Sequence, residues 1–330
     1  MTASHARMRS SRPGESRPGA GLGLALVSAA SFGTSGSFAR SLVSAGWSPV
    51  AAVTARVAVA AVLLAIPALV MMRGRWHTLR GNGALVVLYG LVAVAGGQVC
   101  FFNAIEHLAV GVALLLEYLG TVLVVAWMWL RHGQRPRSLT VVGSVIALVG
   151  LALVIDLTGD TRVDLVGVLW ALGGAIGLAG YFVLSGQQAT EVPPIALTSG
   201  GMIVGAIALF GVGGLGALPM EVRFTAVELA GHQVSWLVPV IGLSLIAAAI
   251  AYVAGIAATR RLGPKLASFV GLTEVLFAVG FAWLFLGELP TGMQLAGGVL
   301  IIAGVALVRL DEGRPAELAE LAELAVQPAA

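Results

Sequence analysis

Three ionisable side chains lie inside long apolar stretches of this sequence. Glu117 sits in LAVGVALLLEYLGTVLVVAW, Glu274 in LASFVGLTEVLFAVGFAWLFL, and Arg56 in PVAAVTARVAVAAVLLAIPALVMM. If such stretches cross a bilayer, each charge costs about 2.5–3.5 kcal/mol at a helix centre on insertion scales, so it needs compensation or a task. Burial favours the neutral form of a carboxyl unless a cation is near. A carboxyl poised between its two forms can carry a proton or bind a cationic group. Glu117 reads first as such a functional group, and Glu274 reads equally as functional or structural. Arg56 reads first as structural: it pairs with a glutamate to hold helices together, or it snorkels outward.

Polar and aromatic side chains at comparable depth could line the same space. They are Gln98, Tyr118 (directly after Glu117), Trp170, Tyr181 and Tyr252. Together they suit a small polar solute with an apolar part. Taken singly, each also has a plain reading as helix packing or interfacial belt. Trp127, Trp129 and Trp283 lie near the ends of apolar runs and are assigned to the belt. No P-loop, HExxH or metal-spaced His/Cys cluster is present, so no cofactor or metal is expected. Cys100 is the single cysteine, which excludes a disulfide within the chain. The five histidines fall between or outside the apolar runs.

The elements that must position these groups follow from composition. Of 330 residues, 58% are hydrophobic and only 11% charged, and the mean hydropathy is +0.96. A water-soluble chain could not cover its surface with so few polar groups, whereas lipid removes the need. The 44 glycines would weaken soluble helices but allow close helix packing in a membrane. Ten apolar segments of roughly the 20 residues needed to span hydrocarbon can be read. They are Gly21–Ala39, Pro49–Met72, Gly83–Phe102, Leu108–Leu130, Leu139–Ile155, Val166–Leu184, Ile195–Leu218, Val234–Ala257, Leu266–Leu286 and Gly292–Val308. The third and fourth are separated only by Asn103–His107, which requires a tight hairpin.

Basic residues set the orientation. Arg7, Arg9, Arg12, Arg17, Arg73, Arg75, Arg80, Arg131, Arg135, Arg137, Arg260, Arg261, Lys265, Arg309 and Arg314 fall on one side of ten spans. Arg40, Arg162 and Arg223 fall on the other. The positive-inside rule puts both termini in the cytoplasm of an inner-membrane protein. The same distribution makes the net charge of +3 a matter of topology, and nucleic acid is not an expected partner. The N-terminal segment, though basic and then apolar, reads as a retained first helix because nine more spans follow. The AEL-repeat tail, Ala316–Leu324, reads as frayed, with a short cytosolic helix as the alternative.

The halves repeat. LRHGQRP (Leu130–Pro136) sits over LFLGELP (Leu284–Pro290), pairing Trp129 with Trp283 and Gly133 with Gly287. Further on, Gly143 pairs with Gly297, Gly150 with Gly304, and ALV at 152–154 with ALV at 306–308. Earlier, FGTSGSF (Phe32–Phe38) sits over IGLAGYF (Ile176–Phe182), and Gln98 over Tyr252. Each half holds five spans, and an odd number inverts the second half against the first. The expected fold is therefore an all-α membrane protein of ten transmembrane helices in two inverted five-helix repeats. It divides into a basic tail at 1–20, repeats at 21–155 and 166–308, and a C-terminal tail at 309–330. Inverted repeats can share one midplane site open alternately to each side. Glu117 falls opposite Gly271 and Glu274 opposite Gly120, so the two carboxyls are one turn apart on roughly one face.

Ten spans, two five-helix repeats and the FLGELP element (Phe285–Pro290) together resemble the EamA family of the drug/metabolite transporter superfamily, over about Gly21–Val308. LAVGVALLLEYLGTVLVVAW (Leu108–Trp127) and ALGGAIGLAGYFVLSGQQA (Ala171–Ala189) are similar to the threonine/homoserine exporter branch. There Glu117 stands where those exporters carry a glutamate in an LEF-GP element, and Glu274 where they carry one before a proline. Thr121 and Val275 replace prolines usual in the family, which removes the expected cause of helix kinks. The resemblance implies a secondary transporter, not an enzyme. It would export small metabolites such as threonine or homoserine, coupled to inward proton movement, with Glu117 as first proton or ammonium site and Glu274 as second. The implied partners are the solute, protons and the bilayer, with a homodimer left open. Two alternatives stay open: a drug or other-metabolite permease of the same superfamily, and a membrane scaffold or sensor that moves nothing.

Overall fold

The computed structural model describes residues 18–108, 110–155, 164–187, 191–216, 218–286, 289 and 291–326. The basic residues before Pro18, Arg162, and Gly287, Glu288 and Pro290 of the FLGELP element lie outside them. The fold is a bundle of ten helices in which consecutive spans run in opposite directions. Among the described residues nine are long and apolar enough to cross a membrane, and the tenth is the slightly shorter apolar helix at Ser138–Val154. The first span is Pro18–Gly33 and Ser35–Ser44, and the second Pro49–Met71. The third is Gly83–His107 in three consecutive segments, and the fourth Val110–Tyr118 and Gly120–His132. The fifth to seventh are Ser138–Ile155, Leu165–Ser185 and Pro194–Gly214. The eighth is Leu237–Leu262 in three segments, the ninth Pro264–Gly271 and Thr273–Leu286, and the tenth Gly292–Val326.

Several boundaries differ from the sequence reading. The third span continues as helix through Asn103 to His107, because nothing in FNAIEH breaks it. The eighth starts at Leu237 rather than Val234. The residues before it form a β-hairpin, Ala226–Leu229 with His232–Ser235. Its two-residue turn has positive φ at both Ala230 (53°) and Gly231 (76°), the turn form whose twist matches paired strands. The tenth helix runs on to Val326 instead of fraying after Arg309. Ala, Glu and Leu are strong helix formers, and once a span has nucleated the helix they extend it at little cost.

The two ends of the bundle differ. One end carries the Ala45–Ser48 turn and the β-hairpin. There Trp47 donates from Nε1 to the Arg223 carbonyl (2.6 Å), and the Ser48 hydroxyl donates to the Pro219 carbonyl (2.8 Å). The other end carries Arg73, Arg75, Arg80, Arg131, Arg135, Arg137, Arg260, Arg261 and Lys265. We refer to these as the hairpin end and the basic end.

The repeat is visible in packing. A Cβ added at Gly143 would lie 2.8 Å from the Gly304 carbonyl oxygen, and one at Gly150 would lie 2.6 Å from that of Gly297. The fifth and tenth spans therefore meet backbone to backbone, as small residues permit. Gly143 matches Gly297 in the repeat and Gly150 matches Gly304, so the repeat relation turns the Gly143–Gly304 contact into the Gly150–Gly297 contact. A pseudo-two-fold axis passes through this interface.

Candidate functional site

Three spans are broken at mid-depth without proline. The first breaks at Thr34, the fourth at Leu119 and the ninth at Leu272. Each break has a threonine hydroxyl bonded three residues back. Thr34 donates to the Ser31 carbonyl (2.7 Å), Thr121 to that of Tyr118 (2.9 Å), and Thr273 to that of Val270 (2.7 Å). These back-bonds satisfy carbonyls that the interrupted helix ladder releases, which hydrocarbon would otherwise penalise. Glu117 lies just before the break of the fourth span and Glu274 just after that of the ninth. Loss of the family prolines has thus not straightened these helices.

Two further irregularities sit at matching places. The third span is π-helical over Tyr89–Gly96 and the eighth over Leu245–Ile250. The offset that pairs Gln98 with Tyr252 also pairs Gly96 with Ile250. Such wide turns recur at functional sites, because they re-aim side chains and loosen the backbone ladder.

The breaks and π segments surround one cavity of about 690 Å³. Glu117, Glu274, Arg56, Gln98, Tyr118, Tyr181 and Tyr252 all line it. Trp170 does not. It lies one turn before Gly174 on the sixth span and is 37% exposed, the fitting face at the wrong depth. Gly174 faces Glu117, whose Cγ would lie in ordinary contact, 3.5 Å, with an added Cβ.

Arg56 is buried, so it does not snorkel. Among the described residues it also makes no ion pair with a glutamate. Its Nη1 donates to Ser35 Oγ (3.2 Å), and its Nη2 donates to the Ala247 carbonyl in the π segment of the eighth span. Its guanidinium lies 5.9 Å from the Phe32 ring centroid, within cation–π range.

Phe32 organises an aromatic wall that the sequence reading did not single out. Its ring packs edge-on against Tyr252 (5.0 Å) and Tyr181 (6.4 Å), and Tyr181 packs against Tyr252 (5.4 Å). The available signal was FGTSGSF, which was used only to find the repeat. Among the described residues the buried Tyr181 hydroxyl has no hydrogen-bond partner. Ser28, another lining residue, donates to the Ala251 carbonyl (2.8 Å).

The lining is exposed toward the hairpin end and buried toward the basic end. Its rim at the hairpin end includes Arg40 and Val43, both exposed. Toward the basic end its lining includes Thr259 and Ser268, at 0% and 1% exposure. Beyond them Tyr89 and Ser185 are wholly buried, and Arg260 donates to the backbone carbonyls of Ser185 (3.4 Å) and Val192 (2.5 Å). No cluster of His, Cys, Asp or Glu among the described residues could hold a metal ion.

Comparison with known proteins agrees with this architecture. A solved crystal structure superposes with a TM-score of 0.72 at 18% identity, covering 90% of this chain and 98% of that one. "Threonine/homoserine exporter RhtA" of Escherichia coli is 29% identical over 224 residues, 67% of this chain and 69% of that protein. "Uncharacterized transporter YwfM" of Bacillus subtilis is 26% identical over 231 residues, 68% of this chain and 72% of that protein. The EamA-like transporter family matches residues 19–156 and again 165–310. With both five-helix repeats matched, this chain belongs to the EamA-like transporter family.

Proposed function

We propose that this transporter exports a small amino acid, of the threonine or homoserine kind, in exchange for protons through this cavity. The observation that carries the reading is that two carboxyls, Glu117 and Glu274, line one cavity together with an unpaired arginine. An ammonium group can bind a carboxylate that has lost its proton, and the same carboxyl protonated has no charge to offer. Proton and amino acid therefore compete for one group, which is the minimum requirement for exchange. Glu117 is assigned as the principal coupling group and Glu274 as its second.

The aromatic wall of Phe32, Tyr181 and Tyr252 suits the apolar part of the solute. The unpartnered Tyr181 hydroxyl offers a bond to a side-chain hydroxyl, which threonine and homoserine both carry. The similarity to the RhtA exporters supports this choice of solute. The distribution of basic residues supports a cytoplasmic basic end, with the cavity facing outward. The apolar lining favours one second reading, export of a larger apolar solute with a cationic group.

The test is efflux from liposomes loaded with a labelled amino-acid panel, with and without an opposing pH gradient. Threonine or homoserine efflux, accelerated by outside acid, is expected. If apolar cations move and no amino acid does, the second reading replaces the first.

A further inference from the structure

Arg56 presents a problem that the carboxyls do not solve. A guanidinium is always charged and carries five N–H donors. Burial inside a membrane bundle is tolerated when the charge is paired or lies on a solute path. Among the described residues its hydrogen bonds go to two neutral acceptors, Ser35 Oγ and the Ala247 carbonyl. No carboxylate lies within 4 Å among the described residues, although Glu274 lines the same cavity. Holding two helices together would not require a full charge, since a glutamine could bond both acceptors. What a glutamine could not do is neutralise an incoming anion.

We propose that Arg56 is the binding site for the solute's carboxylate, opposite the glutamates that take its ammonium group. This rests on the transporter reading above and deepens it: the substrate class becomes solutes with a free carboxylate. Ser35 and Ala247 fix the guanidinium from the side of the helices and leave further N–H donors for a carboxylate in the cavity. Planar, forked donors match carboxylate geometry. The site then has two poles, Arg56 on the second span and Glu117 and Glu274 on the fourth and ninth, with Phe32, Tyr181 and Tyr252 between them. When proton uptake discharges the glutamates, Arg56 keeps its charge, so only the ammonium pole is switched.

The test uses the purified full-length chain in liposomes and three classes of probe. The first is L-threonine with its α-amide. The second is 1-amino-2-propanol, which is threonine without its carboxylate. The third is 3-hydroxybutyrate, which has a carboxylate and no ammonium. The wild type should favour threonine over its amide by roughly 10- to 150-fold, the range for a bond to a charged group. Arg56→Gln should lose that preference, the ratio of threonine to amide transport falling toward one, whereas misfolding lowers both rates and leaves their ratio. Arg56→Lys, with charge but no fork, should retain about a tenth of it.

Equal handling of threonine and its amide, or a preference that survives in Arg56→Gln, overturns the assignment and leaves the transporter reading standing. Transport of 3-hydroxybutyrate that depends on Arg56, without amino-acid transport, upholds the carboxylate site and overturns the amino-acid reading. Refusal of every carboxylate, with 1-amino-2-propanol carried, overturns both.

Discussion

The second and seventh spans begin alike and end up doing opposite things. Each starts on a proline at the first helical turn, Pro49 in PVAAVTAR and Pro194 in PIALTSGG. Eight residues in, counting the proline, the second span has Arg56 and the seventh has Gly201. Both positions face a π segment of the other repeat. Arg56 donates to Ala247 in the eighth span and borders open space. Gly201 lets the third span come into direct contact: a Cβ there would lie 2.5 Å from the Tyr89 ring, and a Cβ at Gly90 2.7 Å from the Gly201 carbonyl. One groove is open and carries a charge, and the other is closed by direct contact. Two copies of one unit, inverted, thus hold an open and a closed version of the same contact. Exchange of those versions between halves would carry the opening from one end of the bundle to the other.

The largest way to break this comparison is to wedge the closed half. Gly201→Leu puts a side chain where Tyr89 packs, and overpacking costs about 1–3 kcal/mol. The shut groove should open and the basic end should become accessible. In a Cys100→Ser background, Ser268→Cys should then react with a membrane-impermeant thiol reagent from the basic side, roughly 5- to 150-fold faster than without the wedge. Unchanged reactivity would mean that the glycine contact is not what seals that end.

A smaller effect is expected at the matched breaks. Thr121→Val and Thr273→Val each remove a hydroxyl that satisfies a released carbonyl, at about 1 kcal/mol. The two hydroxyls bond at the breaks of the equivalent fourth and ninth spans, so both variants should lose similar stability, read as a drop in thermal midpoint in detergent. A large loss at one and none at the other would show that the two breaks are held by different means.

The smallest effect sharpens the closed half. The Tyr89 hydroxyl is fully buried without a hydrogen-bond partner, so Tyr89→Phe should not destabilise. A gain of up to about 1 kcal/mol is expected, with slower labelling of Ser268→Cys from the basic side. A destabilised Tyr89→Phe variant would show that the hydroxyl is satisfied after all.

The ten spans were legible because an apolar run of bilayer length has few other uses, and the repeat was legible in glycines that the structure places face to face. Helix ends were less so. His107 and the AEL tail extend helices past the apolar runs, since helix propensity does not stop where hydrophobicity does. The breaks at Thr34, Thr121 and Thr273 were invisible to a search for proline, because a hydroxyl can compensate a broken ladder without causing a kink that sequence rules recognise. Glu117 and Glu274 stood out by cost alone. Arg56 was also conspicuous, but its partners were not: a hydroxyl and a π-segment carbonyl carry no sequence signal, so a glutamate partner was the natural expectation. Trp170 shares the helical spacing of Gly174, Gly177 and Tyr181, and spacing fixes a face without fixing where a cavity stops.

The central claim is that one carboxyl in the cavity between the repeats links solute efflux to proton entry. Its most direct test is threonine efflux from liposomes of wild type and Glu117→Gln, measured with and without outside acid. The account predicts that acid accelerates wild-type efflux and that Glu117→Gln loses this acceleration, with solute affinity weakened by roughly 30-fold, about 2 kcal/mol for a lost charged partner. Glu117→Gln efflux that responds to acid as the wild type does would contradict it.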